Sequence, residues 1–195
     1  MSQLSFFSAE STPPEASDLA GLLAAQGQAV ISAAGARISV VVDAQWRAHA
    51  VADVIEASGF DAEITRTDEG RPLVRTEPVP DLKSVASDWV RGAVKAVPSG
   101  WVPAPRALRA WVVASGRQEA DGTRFILGLD PHAPDTHPVL AQSLMRAGIA
   151  PTIVGAHSSS PALRITGRRR LGRLIENIGE APAGALAAAG WPVLV

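Results

Sequence analysis

Three short stretches of the chain gather residue types that do chemistry. HAPDTH places His132, Asp135 and His137 within six residues, a grouping with the donors for a transition metal. The same stretch offers Thr136 or His137 as a cap for the helix that Pro138 opens, and this is the preferred reading. Ser158, Ser159 and Ser160 follow Gly155 with no recognisable acid–base partner, so they read as a hairpin turn and not as a nucleophile. His49 and His157 stand alone and suggest packing or surface positions. GRRRLGR sets Arg168, Arg169 and Arg170 where a strand gives way to a helix, either a solvated basic surface or a place that favours an anion. No glycine-rich loop follows a strand and opens a helix, so no nucleotide is expected. Neither a cofactor nor a bound metal is expected.

The composition sets the frame for these residues. The chain has 195 residues, 47% hydrophobic and 19% charged, which fits one well-buried globular unit or two small halves around a shared core. It has no cysteine, which removes disulfides and thiolate metal sites. The first 18 residues lack the basic and apolar regions of a secretory signal. The apolar run from Ala185 to Val195 is short and broken by Gly190 and Pro192, so no membrane span and a cytoplasmic protein are expected. The net charge is −1 but unevenly spread. Residues 1–60 hold two arginines against six acids, and residues 121–195 hold seven arginines against five acids. Only Lys83 and Lys95 among the 18 basic residues are lysines, and arginine suits planar partners such as phosphate and carboxylate.

The elements that must carry these residues come in two similar sets. At an offset of 89 residues Leu19 matches Leu108, Gly27 matches Gly116, Gly59 matches Gly148 and Arg75 matches Arg164, and the pattern of elements agrees with the identities. Each set reads helix, strand, strand, helix, strand, strand, helix. In the first, Ser17 or Asp18 caps the opening helix and Gly27 supplies the left-handed residue that ends it. ARISVVVD alternates Ile38, Val40 and Val42 inward, and Asp43 caps the next helix. DAEIT and PLVRT are strands about a turn at DEG, and Leu82, Val85, Ala86 and Trp89 stripe a third helix. In the second, RALRAWVVASG, TRFILGLD, the helix from Pro138, PTIVGA, PALRIT and the helix holding Leu171, Leu174 and Ile178 repeat that order. The expected organisation is a flexible tail at 1–16, a first repeat at 17–96, a proline-rich linker at 97–105, a second repeat at 106–179 and a C-terminal tail at 180–195.

LAGLLAAQG, Leu19 to Gly27, together with the doubled αββαββα order, resembles the LAGLIDADG homing endonucleases. A similar non-cutting domain is carried by the sporulation regulator WhiA. The resemblance covers residues 18–179 and implies an α+β fold of two pseudo-symmetric repeats forming a saddle of two antiparallel sheets. It implies that the two motif helices pack at a pseudo-twofold axis, with Gly21, Ala24, Ala25, Ala110 and Ala114 as the small contact residues. In active members the residue before each terminal glycine is an acidic metal ligand facing the DNA. Here those lost catalytic positions are Gln26 and Ser115, a neutral amide and a hydroxyl that cannot hold Mg²⁺ for phosphodiester cleavage. Glu119 and Asp121 are nearby acids with no counterpart in the first half.

The expectation is therefore a non-catalytic DNA-binding protein, regulatory in role, acting as a monomer with an internal pseudo-twofold. Parity carries the family's DNA contacts onto Arg37, Ser39, Thr65 and Arg75 in the first half. In the second it selects Arg117, Arg124, Thr152, Arg164, Thr166 and Arg168, with Arg169 and Arg170 extending the positive path. Val41, Ile126, Val154 and Glu63 point the same way, so a protein-interaction module on the same fold is the alternative and a residual metal-dependent endonuclease the third reading.

Overall fold

Alternating apolar strings become strands and amphipathic strings become helices, twice over. The computed structural model describes residues 8–120, 122–156 and 158–194, so Asp121 and His157 lie outside the described residues. The first half contains α1 (Ala20–Ala24), β1 (Gln28–Ser32), β2 (Gly35–Val41), α2 (Gln45–Ala57), β3 (Ala62–Arg66), β4 (Pro72–Thr76) and α3 (Lys83–Asp88). A small hairpin, β5 (Val90–Arg91) and β6 (Val94–Lys95), follows it. The second half contains α4 (Pro105–Ser115), β7 (Gly116–Gln118), β8 (Arg124–Gly128), α5 (His137–Arg146), β9 (Thr152–Val154), β10 (Ala162–Thr166) and α6 (Arg168–Ile178). Each half folds into a four-stranded antiparallel sheet, ordered β1-β2-β4-β3 and β7-β8-β10-β9.

Strand alternation decides which face the helices cover. Ile38, Val40, Val42 and Val74 of the first sheet are buried, as are Phe125, Leu127, Leu129, Leu163 and Ile165 of the second. Both sheets thus share a core that includes α1 and α4. The two helices pack directly on each other. A Cβ on Gly21 would fall on the Ala107 carbonyl and 2.8 Å from the Ala110 Cβ, so only glycine permits this approach.

The pairing register corrects the ungapped repeat. Gln28 lies opposite Ser39, and Arg117 lies opposite Ile126. β1, β3 and β4 keep the 89-residue offset to β7, β9 and β10, whereas β2 and β8 are matched at 87. The second half has lost two residues in its first hairpin and regained two in the loop from Asp130 to Thr136.

Local chemistry differs from expectation at several ends. Glu15, not Ser17 or Asp18, is the cap at the start: its N–H donates to the Asp18 carboxylate at 2.8 Å, and a 3-10 turn (Ala16–Leu19) leads into α1. Burial raises the Asp18 pKa, while the Glu15 N–H and Arg106 act against that rise. Gly27 is not left-handed; it is required because a Cβ would meet the Leu22 carbonyl, to which its N–H donates at 2.9 Å. Asp43 does not cap α2, whose N-cap is Ala44, because its carboxylate is taken by Arg47. Thr136 bonds back to Ala133 and gives α5 no side-chain cap. The stretch read as a linker carries Trp101, which meets Trp89 edge-on (4.9 Å between ring centroids) and lies tilted against Trp111 (6.4 Å). The segment after α6, read as a tail, is packed: Ala185 and Trp191 are buried, and Trp191 lies under the Arg109 guanidinium. Ala9 near the start is buried too. No helix among the described residues is long and apolar enough to cross a membrane.

Candidate nucleic-acid interface

The sheet faces turned away from the helices carry the residues chosen by parity. One row across the first sheet is Gln28, Ser39, Arg75 and Glu63, from β1, β2, β4 and β3. The equivalent row across the second is Arg117, Ile126, Arg164 and Thr152. Arg75 and Arg164 therefore hold the same place in two sheets, each flanked by buried neighbours, Val74 and Thr76 or Leu163 and Ile165. Thr65 and Arg37 sit in adjacent rows of the first sheet, and Arg124 pairs with Thr166 at the end of the second. Arg117, Arg124, Thr152 and Thr166 are exposed, while Arg37, Ser39, Thr65, Arg75 and Arg164 are half-buried.

Both equivalent arginines are held by carboxylates. Arg75 Nε donates to Glu63 at 2.6 Å, and this hydrogen bond holds the Glu63 carboxyl below its usual range. Arg164 donates through Nε and Nη2 to both oxygens of Glu119 at 2.7 Å, a bidentate pair. Glu119 is thus committed to the second sheet. Arg37 adds its charge beside Glu63, and its Nε is buried without a hydrogen-bond partner. Arg168, Arg169 and Arg170 are exposed on the first turn of α6, beside Arg173 and Gly148, beyond the end of β10.

The two open faces meet in a cleft of about 230 Å³ at the foot of α1 and α4, lined by Gln26, Ser115, Asp43, Arg47, Arg71 and Arg117 among others. Gln26 donates weakly to the Leu129 carbonyl at 3.4 Å, and the Ser115 hydroxyl bonds the Trp111 and Gly128 carbonyls at 3.2 Å. The carboxylate among the described lining residues, Asp43, is bound to Arg47 Nε at 2.8 Å. HAPDTH does not gather its donors: His132 offers its backbone N–H to Asp130, and the His137 ring meets the Asp130 carbonyl. Among the described residues no three His, Cys, Asp or Glu side chains converge on a metal position.

Sequence reasoning missed the residues that close the helix feet. A helix C-terminus leaves carbonyls unpaired and favours a cation. At the foot of α1 the Lys95 ammonium, brought in by β6, donates to the carbonyls of Ala25 (2.8 Å) and Gly27 (2.9 Å) and to Asp130 (3.1 Å). Gln28 completes the Asp130 carboxylate at 2.8 Å. At the foot of α4 the Arg47 guanidinium donates to the carbonyls of Val112, Val113 and Gly116 and to Asp43. Desolvation by burial lowers the pKa of both cations, and their carboxylate partners act in the opposite direction. A faint signal was present in the sequence, since VVVD and LGLD end the two inner strands with the same acid.

This arrangement of two αββαββα halves, with motif helices touching through glycine and alanine, is matched by solved structures. No protein-family model matches the sequence. No curated protein matches it either. Full-length DUF199/WhiA from Thermatoga maritima superposes with a TM-score of 0.60 at 15% identity, over 85% of this chain and 55% of that one. The chain therefore spans about half the length of that protein. The isolated N-terminal LAGLIDADG domain of DUF199/WhiA gives a TM-score of 0.58 at 14% identity, over 85% and 82% of the two chains. The fold is LAGLIDADG-like. The homing endonuclease I-WcaI, in a structure bound to its DNA recognition sequence, matches with a TM-score of 0.55 at 9% identity, over 88% and 84%. At the feet of the two motif helices the residues before the terminal glycines carry no carboxylate. Gln26 and Ser115 are neutral, and the nearby oxygens are already bound to Lys95 and Arg47.

Proposed function

We propose that this LAGLIDADG-like chain binds duplex DNA across its two open sheet faces without cutting it, in a regulatory role. The observation that carries the reading is the placement of Arg75 and Arg164 at equivalent points of the two open faces, each in the row that also holds Ser39 or Ile126. Arginine on an exposed sheet can reach phosphate oxygens and base edges, and Arg117, Arg124, Thr152 and Thr166 extend that surface in the second half. The homing endonuclease I-WcaI, of the same fold, is bound to its DNA recognition sequence, and the neutral Gln26 and Ser115 at the helix feet, where Mg²⁺ would need carboxylates, support the non-cutting reading. Arg168 to Arg170 lengthen the positive path at one end.

The test is binding to mixed duplexes over a salt series. The wild-type chain shows a steep salt slope, and replacing both Arg75 and Arg164 by alanine flattens it by about one to two units. Folding is retained with a modest loss, because both ion pairs are only partly buried. The purified protein leaves the duplexes uncut with MgCl₂ or MnCl₂. Cleavage that Asp43→Asn abolishes would establish the nuclease reading instead. One observation favours a protein partner: Val41 and Leu73 are half-buried on the open face of the first sheet, and Val30 on the edge strand of the same sheet is 60% exposed. An arginine double variant with unchanged duplex affinity and slope transfers the face to that role.

A further inference from the structure

The cations at the two helix feet come from unrelated parts of the chain, yet each reaches the carbonyl of the glycine that ends a motif helix and a carboxylate at the end of β2 or β8. Gly27 and Gly116 are repeat partners, and the carbonyl of each accepts from a buried cation. Asp43 and Asp130 are repeat partners at the ends of β2 and β8, and each carboxylate pairs with the cation at the foot of the other half's helix. Lys95, however, arrives from a hairpin after α3, and Arg47 from the first turn of α2. A repeat that had merely kept its ancestral side chains would present the same residue twice. Instead one carbonyl and one carboxylate recur at both feet, the other carbonyls differ (Ala25 at one, Val112 and Val113 at the other), and the positive charge comes from a different element each time. We infer that Lys95 and Arg47 are built-in cations occupying two pseudo-symmetric oxygen sites, and that the Lys95 site takes a divalent cation from solution once the lysine is shortened.

The chemistry of the donors supports this. Around the Lys95 ammonium stand two carbonyl oxygens and one carboxylate oxygen, the hard ligands that Mn²⁺, Mg²⁺ or Ca²⁺ accept, with water to complete the shell. The Lys95 side chain is 8% exposed and Asp130 4%, so the site is enclosed and its partners are fixed. Gln28 and the His132 N–H orient the Asp130 carboxylate from outside the cage, as supporting groups do around a bound metal. The tethered ammonium meets those oxygens at no cost of bringing a cation from solution, and it leaves no room for one. The inference deepens the metal-free part of the proposed function and rests on that reading, but its readout involves no DNA.

The experiment follows thermal unfolding and Mn²⁺ binding, by electron paramagnetic resonance, in MnCl₂ alone. Wild type binds no Mn²⁺ at this site and its midpoint does not depend on MnCl₂. Lys95→Ala unfolds at a lower midpoint that rises with the logarithm of MnCl₂ concentration and binds one Mn²⁺. Lys95→Met keeps the stem without the charge, so it is destabilised and gains nothing from the metal. If Lys95→Ala folds only when refolded with MnCl₂, the inference stands. An alanine variant that neither binds Mn²⁺ nor recovers with it overturns the inference, as does a wild type that binds Mn²⁺ equally well. Duplex cleavage by the wild-type chain with MnCl₂ would instead overturn the non-cutting reading, so the two failures are distinguishable.

Discussion

At the free edge of the first sheet, β1 leaves Val30 and Ile31 exposed. At the equivalent edge of the second, the segment after α6 closes the strand: the Gln118 N–H donates to the Ala189 carbonyl at 2.7 Å, and the Val193 N–H to the Gln118 side chain at 3.2 Å. The open rows differ as much, with Gln28, Ser39 and Glu63 in one sheet standing where Arg117, Ile126 and Thr152 stand in the other. The inner faces differ little, since both are aliphatic or aromatic and buried. Packing against a common core holds an inner face to one pattern, whereas an outer face changes at little cost in stability. Where outer or peripheral features do coincide, as with Arg75 and Arg164 or with the cations at the helix feet, a shared demand is acting on both halves.

The largest effect is expected at the foot of α4. Arg47→Ala removes the donor to three carbonyls, and a loss of about 3–5 kcal/mol is expected in denaturant unfolding. Arg71→Ala, which breaks an exposed pair with Glu69, is the control with little effect. A similar small change for both would mean that the feet are no more demanding than the surface. Next is the axis itself: Gly21→Leu overfills the contact with Ala107 and costs about 1–3 kcal/mol or more. Thermal stability equal to wild type would sink the close helix approach.

Reciprocal exchanges sharpen the contrast between the sheets. Glu63→Thr copies Thr152 into the first sheet and releases Arg75, so duplex binding should tighten and its salt slope steepen by about one unit. Thr152→Glu does the reverse beside Arg164. Identical slopes for the two variants would show that these rows do not meet phosphate. The smallest effect is a gain: Gly172 in α6 has open space around it, and Gly172→Ala should stabilise by about 0.5–1 kcal/mol in the same unfolding measurement. The opposite signs at Gly21 and Gly172 separate a glycine needed for approach from one that is not.

The sequence made the local parts of this structure legible. Alternation located β2 and β8, the glycines marked helix ends, and the offset brought Arg75 and Arg164 to equivalent points. Register was harder, because an ungapped match pairs Ser39 with Gly128, and only cross-strand hydrogen bonds reveal that Ile126 holds the place. The carboxylate partners of the arginines were hidden in different ways. Glu63 was visible as a residue on the same face, but Glu119 reaches Arg164 from the far end of a hairpin. The cations were least legible, since Arg47 acts on carbonyls 65 to 69 residues away and Lys95 on carbonyls 68 to 70 away. Nothing in local periodicity marks a side chain whose partners are backbone atoms of another element.

The crossed wiring at the helix feet also governs how the chain comes apart. Arg47 of the first half holds the last turn of α4, and Asp130 of the second half holds Lys95 at the last turn of α1. Separating the halves would strand a buried guanidinium on one fragment and its unsatisfied carbonyls on the other, and would split Lys95 from its acid. Each half alone is therefore expected to lose its folded state, and the duplicated units are expected to melt together in one cooperative step, as a single thermodynamic unit.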